Sequence, residues 1–187
     1  MNKPLKILGI PGSLRRFSYN RAALIAAKNM LPEDVTLDVF DLKGLPMFNQ
    51  DEENQPSPKV VEFKNKIREA DAILFSTPEY SYSIPGALKN AIDWASRPYG
   101  ESPLKGKPVA VMGASVGLFG AASAQYHLRQ CFNNLGMFPV NQTDVMIRNA
   151  AKAFDIQGTL VDKGCRGKIS ELLDSLVTWT RELQKSA

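Results

Sequence analysis

No stretch constrains the fold of this chain more than residues 7–20, I-L-G-I-P-G-S-L-R-R-F-S-Y-N. The apolar run over residues 5–10 reads as a buried central strand, because a strand covered on both faces is apolar along its length instead of alternating. It breaks at Pro11 and Gly12 into a loop of hydroxyls and two arginines, and an alanine- and leucine-rich helical segment starts near Asn20. The first N–H groups of a helix have no intrahelical partner and lie at the positive end of its dipole. A loop that feeds them with Ser13, Arg15, Arg16, Ser18 and Asn20 is suited to holding a phosphate. The same hydroxyls also serve as N-caps in a plain solvated turn. The arginines favour phosphate: residues 1–30 contain six Lys or Arg and no Asp or Glu.

Strand and helix then alternate. The pattern predicts a helix over 21–31 stopped by Pro32, a strand over 35–40 ending at Asp41, a long surface loop over 42–58 and a helix over 59–70. A buried strand follows over 72–77, and then a helix after Pro85, whose fixed φ suits a first helical turn with Ser83 or Ile84 just outside it. Beyond these come a strand over 109–114, a helix over 121–135, a fifth strand over 138–146 and an amphipathic helix over 167–183. Five strands with helices between them predict an α/β, doubly wound parallel sheet.

Composition bounds the class. A chain of 187 residues, 44% of them hydrophobic, buries one sizeable core, and with no linker to divide it a single domain over 1–187 is expected. The net charge of +4 arises from 23 basic and 19 acidic residues without a long single-sign run, which suits anionic small molecules better than a nucleic-acid groove. No apolar segment approaches the ~20 residues needed to span a bilayer, and no signal-peptide core precedes the first strand. A cytoplasmic protein is expected. Cys131 and Cys165 lack metal-ligand spacing and are expected to be reduced thiols, one of them buried. The single histidine, His127, has no partner cluster and points to a packing or surface role. Trp94 and Trp179 are expected in the core.

In an open parallel sheet, ligands bind beyond the carboxyl ends of the strands, where the loops after strands one, three and four converge. After strand three stands P-E-Y-S-Y-S-I-P-G, whose prolines stiffen the backbone and whose Tyr80 and Tyr82 offer flat surfaces. After strand four stands G-A-S-V-G-L-F-G, whose glycines allow close backbone approach and whose end starts another helix. Each alone also fits a tight turn that caps a helix. Together they describe a slot for a flat, polar-edged ring with a phosphate anchored by the first loop, which describes FMN.

At these residues the chain resembles the NAD(P)H-dependent FMN reductase family, flavodoxin-like enzymes that include quinone, chromate and azo-compound reductases. The resemblance runs nearly the whole length and rests on G-S-L-R-R-F-S-Y-N, T-P-E-Y-S-Y-S-I-P-G-A-L-K-N-A-I-D-W, and the glycine loop through Q-Y-H-L-R. It implies strand order 2-1-3-4-5, with Ser13, Arg15, Ser18 and Asn20 on the FMN phosphate. Pro78, Glu79, Tyr80, Ser81, Tyr82 and Ser83 would line the isoalloxazine ring, and Ser115, Gly117 and Gly120 its other edge. NADPH or NADH would be a substrate and quinones or similar small molecules the acceptors, in a ping-pong reaction without a dedicated acid–base pair or metal. The helix starting near Gly120 would aim its dipole at the reduced ring. A homodimer or dimer of dimers is implied, for which Tyr99, Phe119 and Tyr126 offer exposed aromatic surface. Two positions depart from the family pattern: Ser81, where asparagine is usual, and Ser123, where arginine is common.

Two other readings share part of this evidence. A flavodoxin-type electron carrier shares fold and FMN, but an acidic docking surface does not suit a pI of about 9.1. A Rossmann protein using Gly9, Gly12 and Asp41 would need G-x-G-x-x-G, and the spacing here is G-x-x-G.

Overall fold

The computed structural model describes residues 3–141 and 144–186. Its strands are β1 (Leu5–Pro11), β2 (Val35–Val39), β3 (Ala72–Thr77), β4 (Pro108–Ala114), β5 (Phe138–Pro139) and β6 (Val145–Ile147). All pair in parallel, in the order β2-β1-β3-β4-β5, with β6 also beside β4. Between them run α1 (Tyr19–Lys28), α2 (Pro58–Glu69), α3 (Gly86–Ala95), α4 (Ala122–Asn134), α5 (Ala150–Ala153) and α6 (Lys163–Lys185), with a 3-10 turn at Gln50–Glu52. The order is that of flavodoxin-type sheets, so the Rossmann alternative, with its order 3-2-1-4-5, is excluded. Asp41, the ribose ligand of that alternative, pairs instead with Arg21 at 3.2 Å.

Two apolar cores follow from the alternation of side chains along β1. Leu5 and Ile7 pack with Leu24 of α1 and Leu173 of α6 on one face, while Leu8 and Ile10 pack with Phe63 of α2 and Leu88 of α3 on the other. The central strands are covered on both faces, which is why their sequences show no polar alternation. The long 42–58 loop is pinned to α3. Asn90 accepts from the Phe48 N–H at 2.7 Å and donates to the Pro46 carbonyl at 2.8 Å, and Trp94 donates to that same carbonyl at 2.9 Å.

Several expectations are corrected. The fifth strand is two pieces: Phe138–Pro139 beside Pro108 and Val109, and Val145–Ile147 beside Met112, Gly113 and Ala114. Residues 142 and 143 lie outside the described residues. Pro139 has no N–H for the ladder, and Asn141 and Asp144 bring polar side chains to a place where the sheet needs apolar ones. Helix α6 starts at Lys163 under an Asp162 cap that accepts from the Cys165 N–H at 2.7 Å, ahead of the expected residue 167. The cap outweighs the weak helix propensity of Gly164 and Gly167. Short α5 is additional to the elements that the sequence pattern predicts. Pro85 is the N-cap of α3 and lies outside its first turn.

Trp94 is buried as expected, but Trp179 is 39% exposed and donates to the Phe138 carbonyl at 3.2 Å. Both cysteines are free and half-buried, where one was expected to be buried. Burial and the hydrogen bond with Asp162 push the Cys165 thiol up to about 11, and burial raises Cys131. Neither is set up as a thiolate nucleophile.

Candidate cofactor site

The loops after β1, β3 and β4 meet at the carboxyl end of the sheet. They enclose a cavity of about 120 Å³ lined by Ser13, Arg15, Ser18, Tyr19, Asn20, Pro78, Glu79, Tyr80, Ala114, Ser115 and Val116. Eight of the thirteen residues expected to hold the cofactor therefore share one cavity: Ser13, Arg15, Ser18, Asn20, Pro78, Glu79, Tyr80 and Ser115. Val116 falls within the 115–120 stretch expected at the ring's other edge, while Tyr19 and Ala114 are further lining residues. Their signal was adjacency to Ser18, Asn20 and Ser115.

The first loop is organised around α1. Ser18 is the N-cap, its hydroxyl accepting from the Arg21 N–H at 3.3 Å, which leaves the N–H groups of Tyr19 and Asn20 without a partner inside the helix. No acidic residue stands in that first turn. The Ser13 hydroxyl accepts from the Arg15 N–H at 3.3 Å and lies 3.4 Å from the Tyr80 hydroxyl. A small polar cradle with hydroxyls, free N–H groups and one arginine fits a phosphate.

Asn20 does something the motif does not announce. Strand β4 runs to Ala114, past the point where β3 ends at Thr77 and Pro78. The Asn20 amide stands in for the missing strand: it donates to the Ala114 carbonyl at 3.0 Å and accepts from the Ala114 N–H at 2.9 Å and from the Ser76 hydroxyl at 3.1 Å. Its side chain is thus a strut between α1, β3 and β4 at the cavity that the residue helps to line.

After β3, Tyr80 and Ser83 exchange two backbone hydrogen bonds of 3.0 Å, closing a two-residue turn over Ser81 and Tyr82, both at positive φ, 49° and 59°. Such a turn favours asparagine or glycine at its centre. The Ser81 departure from the family pattern therefore has a backbone reading, since asparagine tolerates the left-handed region better than serine. Ser81→Asn is expected to stabilise the protein by about 0.5–1 kcal/mol, raising Tm by roughly 1–4 °C in thermal denaturation followed by circular dichroism. The Ser83 hydroxyl lies 2.9 Å from His127 Nδ1, giving that exposed histidine a partner the sequence did not indicate.

After β4 the glycines divide into two kinds. A Cβ on Gly120, at φ +59°, would stand 2.7 Å from the Met146 Cβ, so this glycine serves close packing against β6 and is not an opening to the cofactor. A Cβ on Gly117 would meet only the Ser115 Oγ, at 3.6 Å, so this one borders free space. Gly117→Val is therefore expected to leave the fold intact and to weaken FMN binding about tenfold or more, read by flavin-fluorescence titration beside a thermal melt. Normal affinity in that variant would place the cofactor elsewhere.

The expected α4 dipole is answered within the chain. The Glu79 carboxylate accepts from the Ser123 N–H at 2.8 Å and the Ala124 N–H at 3.3 Å. Glu79 thus turns toward the helix start although it also lines the cavity.

The sheet order defines a flavodoxin-like α/β protein whose loops after β1, β3 and β4 line one small cavity. The family model for NADPH-dependent FMN reductases matches residues 5–152. An NAD(P)H-dependent FMN reductase of Pseudomonas aeruginosa is 50% identical over 98% of this chain and 100% of its own. A 2-hydroxy-1,4-benzoquinone reductase of a Burkholderia species is 40% identical over 95% and 97%. Among solved structures, the flavoenzyme NAD(P)H:(acceptor) oxidoreductase FerB of Paracoccus denitrificans superposes with a TM-score of 0.87 at 32% identity, covering 95% of this chain and 98% of that one. This chain belongs to the NADPH-dependent FMN reductase family and is an oxidoreductase that works with FMN and NAD(P)H.

Proposed function

We propose that this enzyme oxidises NADPH or NADH and reduces quinones or similar small acceptors, with flavin, chromate and azo compounds in the same class, through FMN held across the three loops. One observation carries the reading: loops from the ends of β1, β3 and β4 all contribute to the lining of one small cavity. The quinone reductase and the flavoenzyme among its relatives support the choice of acceptor. When bound, FMN would supply the two-electron redox chemistry between nicotinamide and acceptor. The chain supplies place and environment. Ser13, Arg15, Ser18 and the first-turn N–H groups of α1 hold the phosphate, while Pro78, Tyr80 and the turn through Ser83 line one side of the ring and Ser115 and Gly117 the other. No side chain is assigned as acid or base, and both substrates use the one open face in turn, which gives ping-pong kinetics.

The cavity is well below the ~300–1,000 Å³ typical of a complete ligand pocket, so the ring extends beyond it. Val116 on the cavity's lining, and Tyr82, Leu118 and Phe119 further along the same two loops, are all exposed. Apolar surface gathered beside an incomplete site supports a homodimer or dimer of dimers in which a second copy covers the ring. A single 1–187 domain working in the cytoplasm is consistent with two unpaired thiols; no described helix is long and apolar enough to cross a membrane.

Anaerobic stopped flow on the FMN-loaded protein tests the reaction. NADPH or NADH alone is expected to bleach the flavin at a rate compatible with a turnover of ~10 per second, and benzoquinone to restore the colour, with parallel lines in double-reciprocal plots. Bleaching many orders slower without a protein partner would favour the electron-carrier reading.

A further inference from the structure

Helix α4 has no cap of its own. Its N-cap, Ala121, sits at φ 65° and ψ 35° without a side-chain cap bond, and its first turn holds no acidic residue. The Ala122 N–H reaches the Phe119 carbonyl and the Gln125 N–H that of Ala121, which leaves the Ser123 and Ala124 N–H groups as the donors still to be answered. Both are taken by the carboxylate of Glu79, which is remote in sequence and belongs to a different loop.

Glu79 stands directly before Tyr80 and the strained turn at Ser81 and Tyr82. Its partner helix begins directly after the loop that holds Ser115 and Gly117. The far end of that loop is fixed, because Gly120 packs against Met146 and Gly113 leaves no room for a Cβ beside Thr77, Gly120 and Ala121. The Glu79 carboxylate is therefore a tie between the two loops that face each other across the ring slot. It also sets a full negative charge against the positive half-charge of the α4 dipole, so the net field at the slot's edge is that of an anion.

We propose that Glu79 is a positioning residue for this reaction, holding the two ring-lining loops at their working separation and lowering the cofactor's tendency to accept electrons. The inference rests on FMN lying between those loops, as argued above. Reduction adds negative charge to the ring, so a neighbouring carboxylate opposes it and removal of that charge favours the reduced form.

Three measurements test the two roles. Wild-type protein is first titrated with FMN by fluorescence quenching; failure to bind would overturn the underlying placement of the cofactor. Glu79→Gln keeps an oxygen able to accept the Ser123 and Ala124 N–H bonds but removes the charge. Its bound FMN is expected to shift about tenfold toward the reduced form at a fixed solution potential, equivalent to about +30 mV in a two-electron midpoint. Dye-equilibrated spectra that give the wild-type midpoint would overturn the electrostatic role. Glu79→Asp keeps the charge but withdraws the carboxylate by one methylene. It is expected to hold the wild-type midpoint while FMN affinity falls several-fold; unchanged affinity would overturn the positioning role, which this variant decides even if the glutamine one does not fold.

Discussion

Asn20→Ala is expected to cost the protein about 3–5 kcal/mol of stability, a large share of the ~5–15 kcal/mol that a folded domain possesses. The reason is what the substitution strands. Asn20 is 3% exposed, and its amide satisfies the N–H and carbonyl of Ala114 and the Ser76 hydroxyl, all three groups buried where water does not reach. An orphaned buried donor or acceptor costs about 1–3 kcal/mol, and the smaller side chain leaves a void as well. For a chain of this length the loss corresponds to a fall in Tm of roughly 6–20 °C, measured by calorimetry on the apoprotein. The strut also sets where α1 begins relative to β3 and β4, so FMN affinity should fall with it. Asn20→Asp, which sets a buried carboxylate oxygen against the Ala114 carbonyl in place of the N–H donor, should be no less damaging than alanine near neutral pH if the direction of that hydrogen bond matters. A melt within 2 °C of wild type for the alanine variant would show that water replaces the amide and that the strut has no structural weight.

Asn20 also marks where reading the sequence stops. Its place next to a serine- and arginine-rich loop points to a phosphate ligand, and the residue does line the cavity. That its side chain would be drawn into the sheet depends on β4 outrunning β3 by one residue, which no local pattern encodes. Glu79 is a similar case: the carboxylate beside Tyr80 reads as a ring contact until α4, forty-four positions on, is seen to lack a cap. By contrast β1, β3 and β4 are legible to within a residue, because strands buried on both faces leave runs that are almost wholly apolar, broken here only by Lys6 near the start of β1 and by Ser76 and Thr77 at the end of β3.

The turn at Ser81 and Tyr82 lacks the Asn-Gly or Asp-Gly signal that announces a two-residue hairpin, so only its closing prolines were visible. The fifth strand failed for the opposite reason. Its apolar residues are real, but a proline and a polar segment separate them, and hydrophobic count alone does not register a missing N–H. The glycine loop shows a third limit. Gly117 and Gly120 look alike in sequence, yet one borders open space and the other is pressed against Met146.

Arg15→Ala is expected to weaken FMN binding about 10- to 150-fold with stability changed by no more than ~0.5 kcal/mol, the range for losing one charge-assisted hydrogen bond at an exposed position. Three arginines lie near the start of α1, and their surroundings differ. Arg21 is paired with Asp41 at 3.2 Å. Arg16 stacks its guanidinium over Phe17, 5.4 Å from the ring centroid, and lines neither of the hollows around the loop. Arg15 lines both the 120 Å³ cradle and the adjoining hollow of about 350 Å³ on the other side of Tyr80. Among the described residues its guanidinium has no ion pair or hydrogen-bond acceptor, so nothing within the fold is lost with it. Arg16→Ala is accordingly the control and should leave affinity within about twofold of wild type. Arg15→Lys keeps the charge without the planar fork and should recover part of the loss, the remainder measuring how far the phosphate is held by two parallel N–H bonds. Affinity in wild type should fall as salt is raised, and less so in the alanine variant. Fluorescence titrations at two ionic strengths read all of these together; equal losses for Arg15→Ala and Arg16→Ala would mean that the loop attracts FMN through its overall charge, with no phosphate contact specific to Arg15.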